Sequence, residues 1–413
     1  MVAVTPFRAV RPAKKYVKDV ASYPYDVIDS REARILTRKN AKSFLRIVKS
    51  EVDFQDNDTA GYEKVYEKAR ENLYDFLQRD ILFQDKKECF YVYMQKMDDH
   101  VQYGIVACVS VADYESGHIK RHELTRKDKE LDRTKHIGSV NAQTGPVFLT
   151  YKASNAIDMT VKDIVKGNPE YDFTADDGIA HSVWVVDDEK LIERIRQEFG
   201  KLDSLYIADG HHRVASAAAV ARMRREKNKD HNGREEYNRI MVVICPHDQL
   251  NVMDYNRVIR DLGGLNEDQF IKKVQERFIL SDDFRERSPQ RQGEFGMYMN
   301  GVWRKLQAVK EDKDENNPVR ILDVSILQDS LLRPVLGIDE PRTDDRILFV
   351  GGIRGMDELE RLVDSGEYAV AFSLYPTTMD QLIEIADMGK IMPPKSTWFE
   401  PKLRSGIFVH LLD

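Results

Sequence analysis

The sequence is poor in cysteine. Cys89, Cys108 and Cys245 are the only three among 413 residues, too few and too scattered for a disulfide framework or a zinc cluster. Two of them sit in apolar, strand-like runs, which suits reduced and buried thiols. No stretch approaches the roughly 20 consecutive apolar residues that a bilayer span requires. The basic opening segment, 1–20, also lacks the apolar block of a secretory signal, so a cytoplasmic protein without a membrane partner is expected. An excess of positive charge is missing as well: 63 Lys and Arg stand against 70 Asp and Glu, a formal net charge of −7. Such a chain repels a polyanion unless basic residues cluster, and nucleic acid is not the expected partner.

Several catalytic signatures are absent too. Gly389-Lys390 is followed by Ile391 and has no upstream glycine, so it is not a phosphate loop of the GxxxxGKS or GxxxxGKT type. Gly351, Gly352 and Gly355 lack the GxGxxG spacing of a dinucleotide fingerprint and read as a structural turn. No Gly-x-Ser-x-Gly elbow or Cys–His pairing points to a covalent nucleophile. Neither an internal repeat nor a low-complexity tract is present.

What remains is a well-solvated globular chain, 32% charged and 42% apolar, long enough for two or three domains. Apolar residues at helical spacing from Tyr62 to Leu77 predict an amphipathic helix after the polar stretch 53–61. The runs 89–94 and 103–111, joined by a polar turn around Asp98 and Asp99, predict an antiparallel hairpin. A helix is expected near Thr125, where Thr125 and Asp128 have the spacing of a cap and its acidic partner. Further strands are expected at 182–186, 204–208 and 241–245, with helices at 189–199 and beyond Gly210. Polar stretches at 281–292 and 311–317 flank a second hairpin signal, Asn300-Gly301, and the last segment reads strand, helix, strand, helix over 347–388. The expected fold class is mixed α/β, divided as 1–115, 116–250 and 251–413.

The most informative stretch is LYIADGHHR, 205–213, followed by VASAAAVARM. An apolar strand ends at Asp209-Gly210 and a helix of small residues begins within a few positions. That geometry gathers backbone N–H groups and the positive end of a helix dipole at one point, where a phosphate binds readily. Gly210 lets the backbone approach a ligand, and the Arg213 guanidinium is expected to reach two phosphate oxygens. His211 and His212 add donors and are able to shuttle a proton. Asp209 is read either as a cap or as a ligand for a divalent cation.

A second candidate is IKRHELTR, 119–126, which sets His122 and Glu123 beside Arg121 and Arg126. A carboxylate near a substrate hydroxyl can act as general base, although a solvated charge run is the plainer reading. His118 and His122 are four apart, but Gly117 and Ile119 argue against the helix that zinc ligation would need. In MPPKSTWFEP, 392–401, two prolines stiffen the chain before Lys395, Ser396 and Thr397, which either contact an anionic substrate or form a strand entry with Trp398 and Phe399 packed. The basic run Arg222, Arg224, Arg225, Lys227 and Lys229 reads as a solvated helix end.

Taken in order, PFRAVRP near the start, SYPYDVI at 22–28, the HE pair, DGHHR and MPPKSTWFEP resemble the family known as domain of unknown function 1015, across nearly the whole chain. That family is similar to the free serine kinases, whose core is ParB/sulfiredoxin-like. The resemblance implies that Gly210, His211, His212 and Arg213 form the Gly-x-x-Arg turn that binds nucleotide phosphates. It also implies that Glu123 is the base on a substrate hydroxyl; from the residues themselves, Asp209 and His211 are expected to assist, and His122, Lys395 and Ser396 to contact substrate. ADP or ATP with Mg²⁺ is the implied cofactor, serine or phosphoserine the implied substrate, and a homodimer is compatible with it. Sulfinic acid reduction is not expected, because the turn carries histidine where sulfiredoxin has its cysteine. A nucleotide-binding regulatory module of ParB-like type is the alternative, and a metal hydrolase built on the paired histidines a third.

Overall fold

The computed structural model describes residues 2–55, 61–282, 284–309 and 317–413. The polar separators expected at 53–61 and 311–317 therefore fall mostly outside the described residues. The chain forms two compact units: Met1–Arg121, Thr125–Leu250 and Pro401–Asp413 make the first, and His122–Leu124 with Asn251–Glu400 the second. Both mix helices and strands, as a mixed α/β class requires. No helix among the described residues is long and apolar enough to cross a membrane.

The first unit is built on nine strands: Val4–Thr5 (β1), Phe90–Met97 (β2), His100–Ser110 (β3), Ile119–Lys120 (β4), Val147–Tyr151 (β5), Tyr171–Thr174 (β6), Ala180–Val186 (β7), Leu205–Asp209 (β8) and Arg239–Pro246 (β9). Their order is β4-β8-β5-β9-β3-β2-β7-β6, with β1 on β3. Pairing is antiparallel except at β8/β4 and β9/β5. The boundary expected at 115/116 runs through this sheet, and the reason lies in burial. Phe90, Tyr91, Val92 and Tyr93, like Ile105 to Val109, are buried in succession, so both faces of the hairpin need cover and both edges need neighbours. An isolated N-terminal hairpin could not supply them.

Helices cover this sheet. Tyr62–Gln78 (α1) buries Tyr66, Ala69, Leu73 and Phe76 at the expected spacing. Lys127–Val140 (α2) begins one residue later than a Thr125 cap would place it, because the Thr125 hydroxyl donates to Glu130 at 2.9 Å instead of capping. Glu189–Phe199 (α3) matches its expected range, capped by Asp188, which accepts from the amides of Lys190 and Leu191 at 3.0 Å. His211–Lys227 (α4) lies against α2. Its buried Ala215, Ala217, Ala218 and Ala221 allow close approach, and Ser216 Oγ donates to the Glu130 carbonyl at 3.0 Å. The far end of α4 is not simply solvated. Arg225 pairs with Glu115 at 3.1 Å and bonds Asn238 at 2.7 Å, while Arg224 bonds Asn141 at 2.5 Å.

The second unit carries six antiparallel strands: Tyr255–Ile259 (β10), Phe278–Asp282 (β11), Glu294–Met299 (β12), Val302–Ala308 (β13), Ile347–Gly351 (β14) and Val370–Leu374 (β15). They run β11-β13-β12-β15-β10-β14. Asn300 and Gly301 both have positive φ, 50° and 75°, as the tight turn of the expected hairpin requires. The glycines 351 and 352 serve packing: a Cβ at 351 would fall 2.6 Å from the Trp398 ring, and Gly352 lies against Asp254. Trp398–Glu400 forms a short strand on Asn251–Met253, the strand entry foreseen for this motif.

Candidate functional site

The anion-type junction is built as the spacing implied. Pairing of β8 shifts between Ile207 and Asp209, and Gly210 then turns the chain at φ +97°. A Cβ at 210 would meet nothing closer than 3.5 Å, so the positive φ selects glycine here, not crowding. Gly210 is itself the cap of α4, its carbonyl accepting from the amides of Arg213 and Val214 at 2.9 and 3.1 Å. The first-turn amides and the dipole of this 17-residue helix are thus directed at the turn.

Asp209 does not cap that helix. Its Oδ1 accepts the Gly210 N–H at 2.7 Å, and its Oδ2 accepts from the Lys402 ammonium at 3.2 Å. Burial opposes its charge, but Lys402 and Arg213 together hold the carboxyl well below the usual carboxylate range. The carboxylate expected as a cap or as a ligand for a divalent cation thus meets an ammonium and the backbone of its own turn.

Arg213 has internal partners as well. Nη1 donates to the Pro146 carbonyl at 2.8 Å, and Nη2 donates to both oxygens of Asp26 at 3.0 and 3.1 Å. Only Nε is without a hydrogen-bond partner among the described residues. The side chain is 11% exposed, so the guanidinium acts from inside as a strut between the loop and the segment around Asp26. Two guanidinium groups approach the Tyr25 ring, Arg133 at 4.2 Å from its centre and Arg213 at 5.6 Å. Tyr25, Arg133, His136, Thr144, Gly145 and Arg213 help line a small, partly open pocket beside the turn.

His211 is buried at the first helical position. His212 Nε2 accepts the Arg126 amide at 3.0 Å, which leaves the proton of the neutral ring on Nδ1. Arg126 pairs its guanidinium with Asp128 at 2.9 Å. The remaining predicted residues belong to the second unit. There the His122 carbonyl accepts the Met392 amide at 2.8 Å, and Glu123 follows, half-buried. Lys395 lies 5.6 Å from the Tyr255 ring centre, its carbonyl accepting from Arg257 at 2.9 Å. The Ser396 hydroxyl donates to the Pro393 carbonyl at 2.6 Å, a turn-closing bond.

The first unit therefore brings together Asp209, Gly210, His211, His212 and Arg213, and adds three residues that sequence reasoning did not assign. Tyr25 and Asp26 lie within SYPYDVI, a motif noted without a role. Lys402 follows MPPKSTWFEP by one position and comes to Asp209 across 193 residues of chain.

No curated protein matches the chain. Among solved structures, a conserved hypothetical protein from Pyrococcus furiosus is 12% identical, covering 74% of this chain and 95% of its own, with a TM-score of 0.37. A free serine kinase in complex with AMP is 12% identical over 73% and 91%, also at 0.37. SbnI with a C-terminal truncation, from Staphylococcus aureus, is 11% identical over 71% and 82%, at 0.38. The sequence profile of one family matches residues 4–325, most of the chain, and the protein belongs to that family, described as protein of unknown function DUF1015.

Proposed function

We propose that this protein is a nucleotide-dependent phosphotransferase acting on the hydroxyl of a small metabolite, with free L-serine as the substrate favoured by the motif resemblance. The observation that carries the reading is the junction itself: a strand end, a glycine at φ +97° and the start of a long helix. Such a junction suits the phosphates of ADP or ATP, which its amides and dipole would hold. Arg213 fixes the loop through Asp26 and adds its positive field. His211 and His212 stand in the first helical turn, where ring N–H groups can meet phosphate oxygens.

Glu123 is the proposed base. It would take the proton of the substrate hydroxyl as that oxygen attacks the terminal phosphorus, and the shortened nucleotide would leave with the bridging oxygen. The reverse direction, from phosphoserine, uses the same groups. His122, Lys395 and Ser396 are the proposed substrate contacts, the last two through backbone if the Ser396 hydroxyl keeps its turn. Mg²⁺ would reach the site on the nucleotide's phosphates.

A coupled assay of serine with ADP or ATP tests this, comparing the unmodified chain with E123Q. The expected outcome is product from the former and a loss of about 10²-fold or more in the latter, the usual scale for a general base. Equal rates would remove Glu123 from the mechanism. The engagement of Arg213 and of both Asp209 oxygens favours one second reading, nucleotide binding without turnover; bound nucleotide with no product across a panel of small alcohols would support it.

A further inference from the structure

Lys402 comes to Asp209 on a C-terminal strap that is pinned along its length. Its own carbonyl accepts from Gln95 Nε2 at 3.0 Å, and Gln95 Oε1 accepts from Gln102 Nε2 at 3.0 Å. Arg404 pairs with Asp177, Ser405 and Ser22 exchange amide bonds at 2.9 and 3.0 Å, and the Val409 and Val10 amides and carbonyls bond at 2.8 Å in both directions. The ammonium is delivered to the carboxylate by rigid neighbours, with 13% of the lysine side chain exposed. A cation prepared in this way pays little ordering entropy when a ligand arrives.

Its position answers an electrostatic problem. A carboxylate at the mouth of a phosphate-binding turn repels the phosphate, and over a few ångströms in a partly shielded site that repulsion is large enough to decide binding. Families of phosphate sites commonly neutralise such carboxylates with a metal ion. Here an ammonium is already on Asp209 Oδ2.

We propose that Lys402 is the built-in counter-cation of the turn, neutralising Asp209 so that a nucleotide's phosphates approach α4 without a metal on that carboxylate. The inference rests on the phosphate-binding reading of the turn and specifies how that site is kept receptive. Its consequence is that nucleotide binding is largely independent of divalent metal in the native protein and becomes dependent on it when the lysine is lost.

Calorimetric titration of the full chain with ADP, in EDTA and in Mg²⁺, tests it with K402M, D209N and the double variant. In the unmodified protein Mg²⁺ is expected to change Kd by less than about threefold, whereas K402M in EDTA binds about tenfold more weakly, the scale of one lost charge interaction. Adding D209N to K402M is expected to recover most of that loss, because no charge remains to be neutralised. K402M with unchanged affinity in EDTA overturns the proposal. So does a weakened K402M that D209N fails to restore, since Lys402 would then be a direct phosphate ligand. If K402M does not fold, D209N alone decides: ADP affinity in EDTA equal to or tighter than native supports the proposal, and weaker affinity overturns it. Native protein that binds neither ADP nor pyrophosphate removes the phosphate reading first, and this inference with it.

Discussion

At Gly210 one backbone angle sets the geometry of the turn. Because a Cβ there meets only ordinary contacts, substitution should strain the backbone without displacing neighbours. G210A is expected to cost about 1–2 kcal/mol of stability, and G210N less, because asparagine tolerates the left-handed region better. Urea unfolding of the three proteins checks that order; G210A as stable as the native chain would mean the turn relaxes freely. The residue types at this turn were legible in the sequence, since a strand, an Asp-Gly step and an alanine-rich helix are local patterns. What Arg213 does was not legible. Its carboxylate partner, Asp26, lies 187 residues earlier, and an arginine free to bind a ligand and one braced internally have the same local sequence.

At the scale of elements, the helices with clear caps or spacing agree best with their sequence signals, α3 above all. The start of α2 slipped because Thr125 found a side-chain partner in Glu130, a choice that no spacing rule contains. The short helix Asp323–Leu327 of the second unit carries a feature that periodicity also hides. Asp323 Oδ1 accepts the Gly293 amide at 2.9 Å, Oδ2 has no hydrogen-bond partner among the described residues, and burial pushes the carboxyl up to about 7. The folded unit keeps a proton there that an unfolded chain releases near its ordinary value of 3.8, so stability falls as pH rises from about 4 through 7. D323N should flatten that slope and make the second unit more stable than native at pH 8, by up to about 4 kcal/mol. Chemical unfolding at pH 5 and pH 8 reads the difference, and an unchanged slope in D323N would assign the titration to another group.

Across the whole molecule the two units should answer pH in opposite senses. In the first, burial holds His136 and His181 down to about 3, so the folded state refuses protons that an unfolded histidine takes up below 6.5. Its stability should therefore fall as pH drops below 6.5, while that of the second unit falls as pH rises towards 7. Hydrogen exchange, corrected for intrinsic rates, should show amides of β3 and β9 gaining protection from pH 5 to pH 7.5 and amides of β12 and β15 losing it. Parallel changes in both units would contradict these assignments.

Length, composition and local periodicity were enough to establish the mixed α/β class, most helices and strands, and the turn at 209–213, because each depends on neighbours within a few residues. Tertiary structure alone decided that the N-terminal hairpin joins the central sheet, that Asp26 claims Arg213, and that a C-terminal lysine settles on Asp209. Those outcomes depend on which distant surfaces can bury an apolar face or satisfy a charge. That choice is made only when the chain is folded.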